Sequence, residues 1–582
     1  MKKSLFIALS ILPSLLGTSC AVKTRKLNIY RRKGVVDKTI TVKFFKDSPN
    51  VPYISVPSFY KEFFNTELTK IHDRRTGYEF LYHNKYNEYL SFNYSKQSVT
   101  TNGIQSFDNH PDYKTTTGKL FIKYDKTQYS KRTPSTYKLK DYGIEFYRRN
   151  GDIYVPLTFL SDLSGGLSGY DIAYNGKDIY VFDTNGLLGD ATDISTYGAE
   201  YLSLMNNNDA RPKDLAAYTY NELCFVFDNL RGYTKQLIFG DDKLLSLGLD
   251  KLLTTEHPKI KEYLLSTDKN NYLEGLAALF SGLGDGGHTA ITVAFDKLKN
   301  AKNRGSEPDF VNLTNQYTAK NTEYSSSLFS FGASRGEVLG ADKIGNYYYY
   351  DETSKTAAIG FNKFNLAFKA WDDFYNGRGE IPVETDTYAF VRDKVYQAKA
   401  DGAENLILDL TTNTGGSSYA LEGILSLFNE AKGYINYYDV VANFTERDNH
   451  LIDINLDGKW DQNDIDEAKS FNFNVGVLTS NAAFSCGNLL PFNMKELGYK
   501  IIGEKTGGGS CAVSIDSTAD GIPFAHSSYI CLTDKQGENI DGGVEVDFAI
   551  ARTIPEGSNL YDCKDFYDIS ALGEYLSSAY IE

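Results

Sequence analysis

The sequence predicts a multidomain α/β protein in which a small β-rich α+β domain precedes an α/β core, and three observations predict it. From 27 to 182 the chain mixes aromatic and β-branched residues with polar ones, the composition of half-exposed sheets. From Lys355 onward apolar strands alternate with amphipathic segments, as in a sheet covered by crossover helices. The 582 residues also exceed one core, since single cores stop growing near ~250–300 residues. A hydrophobic share of 41% with 23% charged residues excludes wholesale disorder. The formal net charge of −14 argues against nucleic acid or anionic lipid as the main partner.

Met1-Lys2-Lys3 and the apolar run 5–16 read as a signal peptide over 1–19, because a basic start and a short apolar core are what the export machinery binds. It ends in Gly17-Thr18-Ser19-Cys20, which resembles a bacterial lipobox with Leu16 one place further from the cysteine than usual. That resemblance implies cleavage before Cys20, lipid on its thiol and amino group, and an extracytoplasmic place in the bacterial cell envelope. The alternative is a plain secreted protein. No later stretch reaches the ~18–20 apolar residues of a membrane span, so attachment is expected by the lipid anchor alone. Without Cys20 five cysteines remain, an odd number, with Cys486 and Cys511 open to bonding or simple packing.

In 20–190 one pattern repeats: Tyr53-Ile54-Ser55-Val56-Pro57 and Asp152-Ile153-Tyr154-Val155-Pro156 each read as a strand, a proline and a short helix. Asn175-Gly176 signals a hairpin. This layout resembles the small N-terminal domain of copper amine oxidases, here without a metal site, and implies a spacer or binding module. Residues 191–353 read as a linker followed by helices over 214–229, 243–253 and 272–280, with 301–350 polar and irregular. In 354–560 strands are expected over 357–361, 405–410 and 475–479, and helices over 388–400, 420–428 and 489–497. A C-terminal helix is expected within 561–582.

Three stretches carry chemistry. Ser485 stands between the apolar strand 475–479 and an amphipathic helix, where a hydroxyl is exposed and helical N–H groups can stabilise an oxyanion; an N-cap serine is the alternative. His288 lies in the glycine turn Gly284-Asp285-Gly286-Gly287-His288, a better place for a base than most histidines occupy. Gly415-Gly416 follows a buried strand and lets backbone N–H groups approach a ligand. Separately, Asp453, Asn455, Asp457, Asp461 and Asp464 stand at positions one, three, five, nine and twelve of a loop with Gly458 at six and the Lys459 carbonyl at seven. That is the calcium (Ca2+) spacing of EF-hand and dockerin loops.

In order, Gly284 to Thr289, Leu408 to Gly416, Phe484 to Asn488, Ile501 to Gly509 and Gly542 to Asp547 resemble the tail-specific (C-terminal processing) serine peptidases and their tricorn-core relatives, over about 214–550. The resemblance implies a crotonase-like core with Ser485 as nucleophile, His288 as its base, and N–H groups of Gly415 or Gly416 and of Cys486 as the oxyanion hole. It implies an acid near 539–547 to orient the imidazole, Asp541 being favoured and Glu545 the alternative. Gly508 and Gly509 stand where the lysine-dependent branch carries its base, Lys505 comes one turn too early, and Thr411 replaces a usual arginine. No PDZ-like module is read between His288 and Lys355. The expected function is a lipid-anchored endopeptidase acting on extended or unfolded polypeptides. A surface binding or scaffold protein that keeps the fold without turnover is the alternative, and an esterase is disfavoured because Ser485 lacks the Gly-x-Ser-x-Gly elbow of those folds.

Overall fold

The computed structural model describes residues 22–73, 77–81, 87–107, 120–184, 191–197, 201, 210–292 and 307–580; the expected signal peptide and Cys20 lie outside the described residues. The architecture is mixed α/β, as the alternating pattern predicts, with four sheets among the described residues. The first has seven strands and contains both copies of the strand, proline and helix repeat. Strand Ser48–Ser55 runs into helix Val56–Phe64, where Ser55 Oγ accepts from Ser58 N and Pro57 sits in the first turn. Strand Asp152–Pro156 also runs straight into a helix, Leu157–Asp162, here with Pro156 at the N-cap and no side-chain cap bond. The two copies pair antiparallel, Val155 opposite Ile54, so the repeat in sequence becomes one interface in space. The Asn175-Gly176 hairpin joins Tyr170–Tyr174 to Ile179–Asp183, which closes in parallel on strand Val22–Arg32.

The core sheet orders Tyr347–Asp351, Thr356–Gly360, Asn405–Asp409, Asn474–Thr479, Lys500–Gly503 and Phe548–Ala549 side by side, parallel after the first hairpin. Side chains alternate between its faces. Ile359, Leu406, Leu408, Val475 and Val477 face helices Thr387–Asp401, Ser418–Leu427 and Cys486–Glu496; Ala358, Ile407, Leu478 and Ile502 face helix Ile569–Ala579 and Phe331. A sheet buried on both faces needs strands that are apolar throughout, which is how these read.

Two elements depart from the reading of 20–190 and 301–350. Strand Ile122–Tyr129 leaves the N-terminal domain and pairs with Phe444–Ile452, in a sheet that also holds Lys432–Asp439 and Pro523–Thr533, so the two halves interlock. Pro308–Leu339 is one long helix, not an irregular stretch. It is polar on most sides, yet it buries Phe331 and drives Arg335 into the core, where Nη1 lies 3.0 Å from Asp409 Oδ2 with both side chains fully buried. Thr411, found where an arginine was expected, donates its N–H and hydroxyl to Asp409 Oδ1. The positive charge therefore reaches this strand end from a helix 74 residues upstream.

A group of buried acids joins the N-terminal domain to the rest. Asp162 and Asp171 meet Glu222 of helix Lys213–Asn229 and Asp516 of strand Cys511–Ser517, all at least nine-tenths buried. Glu222 Oε1 accepts from Thr158 (2.6 Å) and Tyr218 (2.7 Å), and Asp516 Oδ2 lies 2.7 Å from His526 Nε2. Burial pushes Asp171 up to about 7 and Glu222 up to about 8, and burial with the neighbouring Glu222 pushes Asp162 well above the carboxylate range. These groups keep protons in the folded state that the unfolded chain gives up near pH ~4. Their stabilising contribution is therefore complete below that pH and is lost as pH rises through about 7–8. The melting midpoint is expected to fall by a few degrees between pH 5 and pH 8.5, and Glu222→Gln is expected to flatten that slope in thermal scans across the range.

Candidate active site

Three successive parallel strands, Asn405–Asp409, Asn474–Thr479 and Lys500–Gly503, end on the same edge of the core sheet, and the turns after them build the site. Open α/β sheets bind ligands at this carboxyl edge because their loops converge there. The first turn is organised by the buried Asn413. Its carbonyl accepts from Phe484 N at 3.1 Å, its Oδ1 from Gly415 N at 2.9 Å, and its Nδ2 donates to Phe361 O at 2.9 Å. Gly415 has φ +97°, and a Cβ there would lie 2.6 Å from Ser485 Cβ and 3.0 Å from Ser485 Oγ, so only glycine allows this turn to touch the serine.

Ser485 caps helix Cys486–Glu496 with φ 57° and ψ −121°, a conformation costly for a residue with a Cβ. Its N–H donates to Gly508 O at 2.9 Å and its carbonyl accepts from Asn488 N and Leu489 N, which hold the backbone in that conformation. Its side chain makes no cap hydrogen bond, and its hydroxyl has no hydrogen-bond partner among the described residues. An N-cap serine normally spends its hydroxyl on the helix N–H groups; Ser485 does not. The N–H groups of Gly416 and Cys486 likewise donate to no described residue, and the two residues touch through Cys486 Sγ to Gly416 O at 3.1 Å. The Gly415 N–H, by contrast, is spent on Asn413.

His288 arrives from elsewhere in the chain. Helix Lys269–Gly282 ends in the glycine turn, and the following Ala290–Ile291 pairs with Pro523–Thr533. The imidazole is 7% exposed and packs edge-to-face on Phe484, the residue before the serine, with centroids 4.9 Å apart. Gly286, Gly287 and Gly509 surround that ring at distances where a Cβ would press on it, so the glycines let the histidine turn, Phe484 and the last turn close together. His288 Nδ1 lies 3.4 Å from Ser527 Oγ, and Ser527 Oγ donates to Asp285 Oδ2 at 2.7 Å. Asp285 also accepts from the N–H groups of His288 (3.0 Å) and Thr289 (2.8 Å) and from the Thr289 hydroxyl (2.7 Å). Burial lowers the His288 pKa below the ordinary value, opposed by Asp285 and then Asp541, so the ring is neutral near neutral pH.

The structure places the two acids considered for the third role differently. Asp541 is buried beside the site, but its oxygens accept from the backbone N–H groups of Lys235 (2.8 Å), Gly509 (3.1 Å) and Ser510 (2.8 Å), bracing the last turn. Glu545 is exposed and pairs with Lys505 at 2.6 Å, away from His288. The groups linked to the imidazole by hydrogen bonding are Ser527 and, through it, Asp285. Asp285 stood in the glycine stretch without a role assigned to it; Ser527, 239 residues from His288, carried no local signal. Lys320 of the long helix also nears the site, its Nζ donating to Gln236 O at 2.9 Å while Gln236 Nε2 donates to Gly507 O, and burial lowers its pKa.

In the loop 453–464, Asp453 accepts from Asp457 N and Gly458 N, Asn455 from Asp457 N, Asp457 from Lys459 N and Asp464 from Ile454 N and Asn455 N; Asp461 and Asp464 form a capping box at helix Gln462–Lys469. Gly458 has φ +80° at the sharp turn. Burial, with Asp464 nearby, pushes Asp453 up to about 6. Among the described residues no three His, Cys, Asp or Glu side chains stand close enough together to hold a metal ion.

Residues 357–550 match the sequence profile of peptidase family S41. No match is found among curated proteins. Among solved structures, the photosystem II D1 C-terminal processing protease is 18% identical, covering 34% of this chain and 42% of its own, with a TM-score of 0.25. A candidate peptidase of Parabacteroides merdae is 17% identical over 60% of this chain and 91% of its own, with a TM-score of 0.36. The tricorn protease is 16% identical over 46% of this chain and 20% of its own, with a TM-score of 0.22. The match therefore spans less than half of the D1 and tricorn proteases. The profile covers the core sheet from its second strand onward and the turns that hold Gly415, Gly416, Ser485 and Asp541, and through this region the chain carries a domain of peptidase family S41, a family of serine-type peptidases.

Proposed function

We propose that this protein is a serine endopeptidase that hydrolyses peptide bonds in extended or unfolded polypeptides, exported and held at the cell envelope by lipid on Cys20. The observation that carries the reading is Ser485: a strained backbone at a helix N-terminus, with an uncommitted hydroxyl beside the uncommitted N–H groups of Gly416 and Cys486. Strain of this kind persists where function needs the geometry. In the proposed reaction His288 Nε2 takes the Ser485 proton, Oγ attacks the peptide carbonyl, and the Gly416 and Cys486 N–H groups, at the positive end of the helix dipole, stabilise the oxyanion. The Ser527 hydrogen points to Asp285, leaving an oxygen lone pair to accept Nδ1–H from His288. This selects the tautomer with Nε2 free and steadies the imidazolium after proton transfer.

The test is digestion of casein by the chain from Ala21 onward, paired with labelling by a fluorophosphonate. Casein cleavage with the adduct mapped to Ser485 supports the reading. Inertness towards casein and a varied peptide library, with no adduct, replaces it by a binding or scaffold role.

We also infer that 453–464 holds calcium as a brace on the connection to the strand that delivers Ser485. The donor spacing and the Gly458 turn support it; among the described residues the acidic side chains do not converge and would have to close on the ion, which would relieve the repulsion between Asp453 and Asp464. Asp453, Asn455, Asp457, Asp461, Asp464 and the Lys459 carbonyl would supply the oxygens. Calcium at 100 times its dissociation constant stabilises by about 2.7 kcal/mol. It is expected to raise the melting midpoint measurably, and Asp457→Ala is expected to abolish the shift; equal midpoints with calcium and with chelator would refute the assignment.

A further inference from the structure

Strands Cys511–Ser517 and Pro523–Thr533 form an antiparallel hairpin in which Cys511 stands directly opposite Cys531. The bond from Leu532 N to Ser510 O at 2.8 Å flanks the pair, which makes it a non-hydrogen-bonded pair. At such positions the two Cα atoms lie about 4.5 Å apart and the side chains approach most closely. That spacing falls within the range of about 4.4–6.8 Å that a disulfide spans without moving the backbone. The two Sγ atoms are 3.2 Å apart, and both residues are buried, at 2% and 3% exposed. Gly232 lies over them, where a Cβ would be 2.6 Å from Cys511 Sγ and would collide with Cys531 Sγ. The other described cysteines are placed differently: Cys486 Sγ lies on the Gly416 carbonyl, and Cys224 and Cys563 are buried with no sulfur partner. The pairing of Cys486 with Cys511 left open by the sequence is thus displaced by Cys511 with Cys531.

We propose that Cys511 and Cys531 are a disulfide-forming couple, closed when the chain matures in an oxidising compartment. One thiolate attacks a sulfur of a donor disulfide, either a thiol–disulfide oxidoreductase or oxidised glutathione, and releases one donor thiolate. The second cysteine displaces the remaining donor sulfur. Two protein thiols are oxidised, the donor disulfide is reduced, and the two protons end on the donor's sulfurs. In the folded pair the hydrogen bond that the Cys511 thiol donates to Cys531, together with burial, holds Cys511 protonated, so the exchange belongs to the closing hairpin. The bond would pin the start of the strand that follows Gly508, Gly509 and Ser510 to the strand that carries Ser527. It would fix two sides of the site at once.

The test does not depend on turnover. The chain from Ala21 onward is directed to a bacterial periplasm, denatured in iodoacetamide without reductant, digested and analysed by mass spectrometry. The expected result is a linked pair of peptides carrying Cys511 and Cys531, two hydrogens lighter than the reduced pair, with Cys224, Cys486 and Cys563 fully alkylated. Prior reduction should render all five alkylated. As a second measurement, cytosolic protein refolded with oxidised glutathione should gain the same link and a higher melting midpoint, a gain that a Cys511→Ala, Cys531→Ala variant lacks. Five alkylated cysteines in the unreduced periplasmic protein, or a link through any other cysteine, would overturn the proposal.

Discussion

Ser485→Ala is expected to lower kcat/KM on casein-derived peptides by at least about 10⁴-fold, the scale on which a triad nucleophile acts above the residual contribution of binding and the oxyanion hole. The melting midpoint should hardly move, because the hydroxyl has no partner among the described residues whose loss could be felt. A second substitution separates chemistry from strain. At φ 57° and ψ −121° a side chain costs about 1–3 kcal/mol, whereas glycine pays only about 0.5–1 kcal/mol of extra chain entropy. Ser485→Gly is therefore expected to be as inactive as the alanine variant yet more stable by about 1 kcal/mol. Paired denaturant titrations of the two variants check this. Equal stabilities would mean that the position stores no strain and that a hydroxyl-bearing residue is tolerated there for some other reason.

Parts of this arrangement were legible in the sequence because their signals are local. Ser485 was visible as a strand, a small-residue turn and a helix in succession, and His288 as a histidine held in glycines. The core strands were visible because a sheet covered on both faces leaves unbroken apolar runs such as 405–409. What was illegible depends on contacts far apart in the chain. Helix Pro308–Leu339 buries a narrow set of residues and exposes Phe329 and Val338, so its apolar period is faint and its anchor is the ion pair of Arg335 with Asp409. Strand Ile122–Tyr129 reads as part of the N-terminal domain until its partner, Phe444–Ile452, is known. Ser527 sits in a strand where it looks like any buried polar residue, and only the hairpin partner of Ala290 and Ile291 reveals what it faces. The sequence offered Asp541 and Glu545 for the third role, but one carboxylate is spent on backbone N–H groups and the other on a surface lysine.

The orientation of His288 yields the second large effect. Asp285→Asn is expected to cut kcat by about 10²–10⁴-fold with little change in KM, because it withdraws the charge that steadies the imidazolium and disturbs the tautomer without touching substrate. Ser527→Ala should cost less, about 10-fold, since it removes one long hydrogen bond but leaves the Asp285 charge; Ser527→Thr, which keeps the hydroxyl, should recover most of the loss. The pH profile tells positioning from mere damage. Burial already sets the acidic limb of kcat/KM below the ordinary histidine value, and Asp285 is the larger of the two charges raising it, ahead of Asp541. Activity requires neutral His288, so it is lost as pH falls through that limb. Removing Asp285 lowers the His288 pKa further, and the limb should move to still lower pH even as the plateau falls. Asp541→Asn should move it less, while loosening the turn of Gly509 and Ser510 that this carboxylate holds. If instead Asp541→Asn displaced the limb and Asp285→Asn left it in place, the imidazole would be oriented by Asp541 in the working enzyme. The 3.4 Å contact of His288 with Ser527 would then belong to the resting arrangement only.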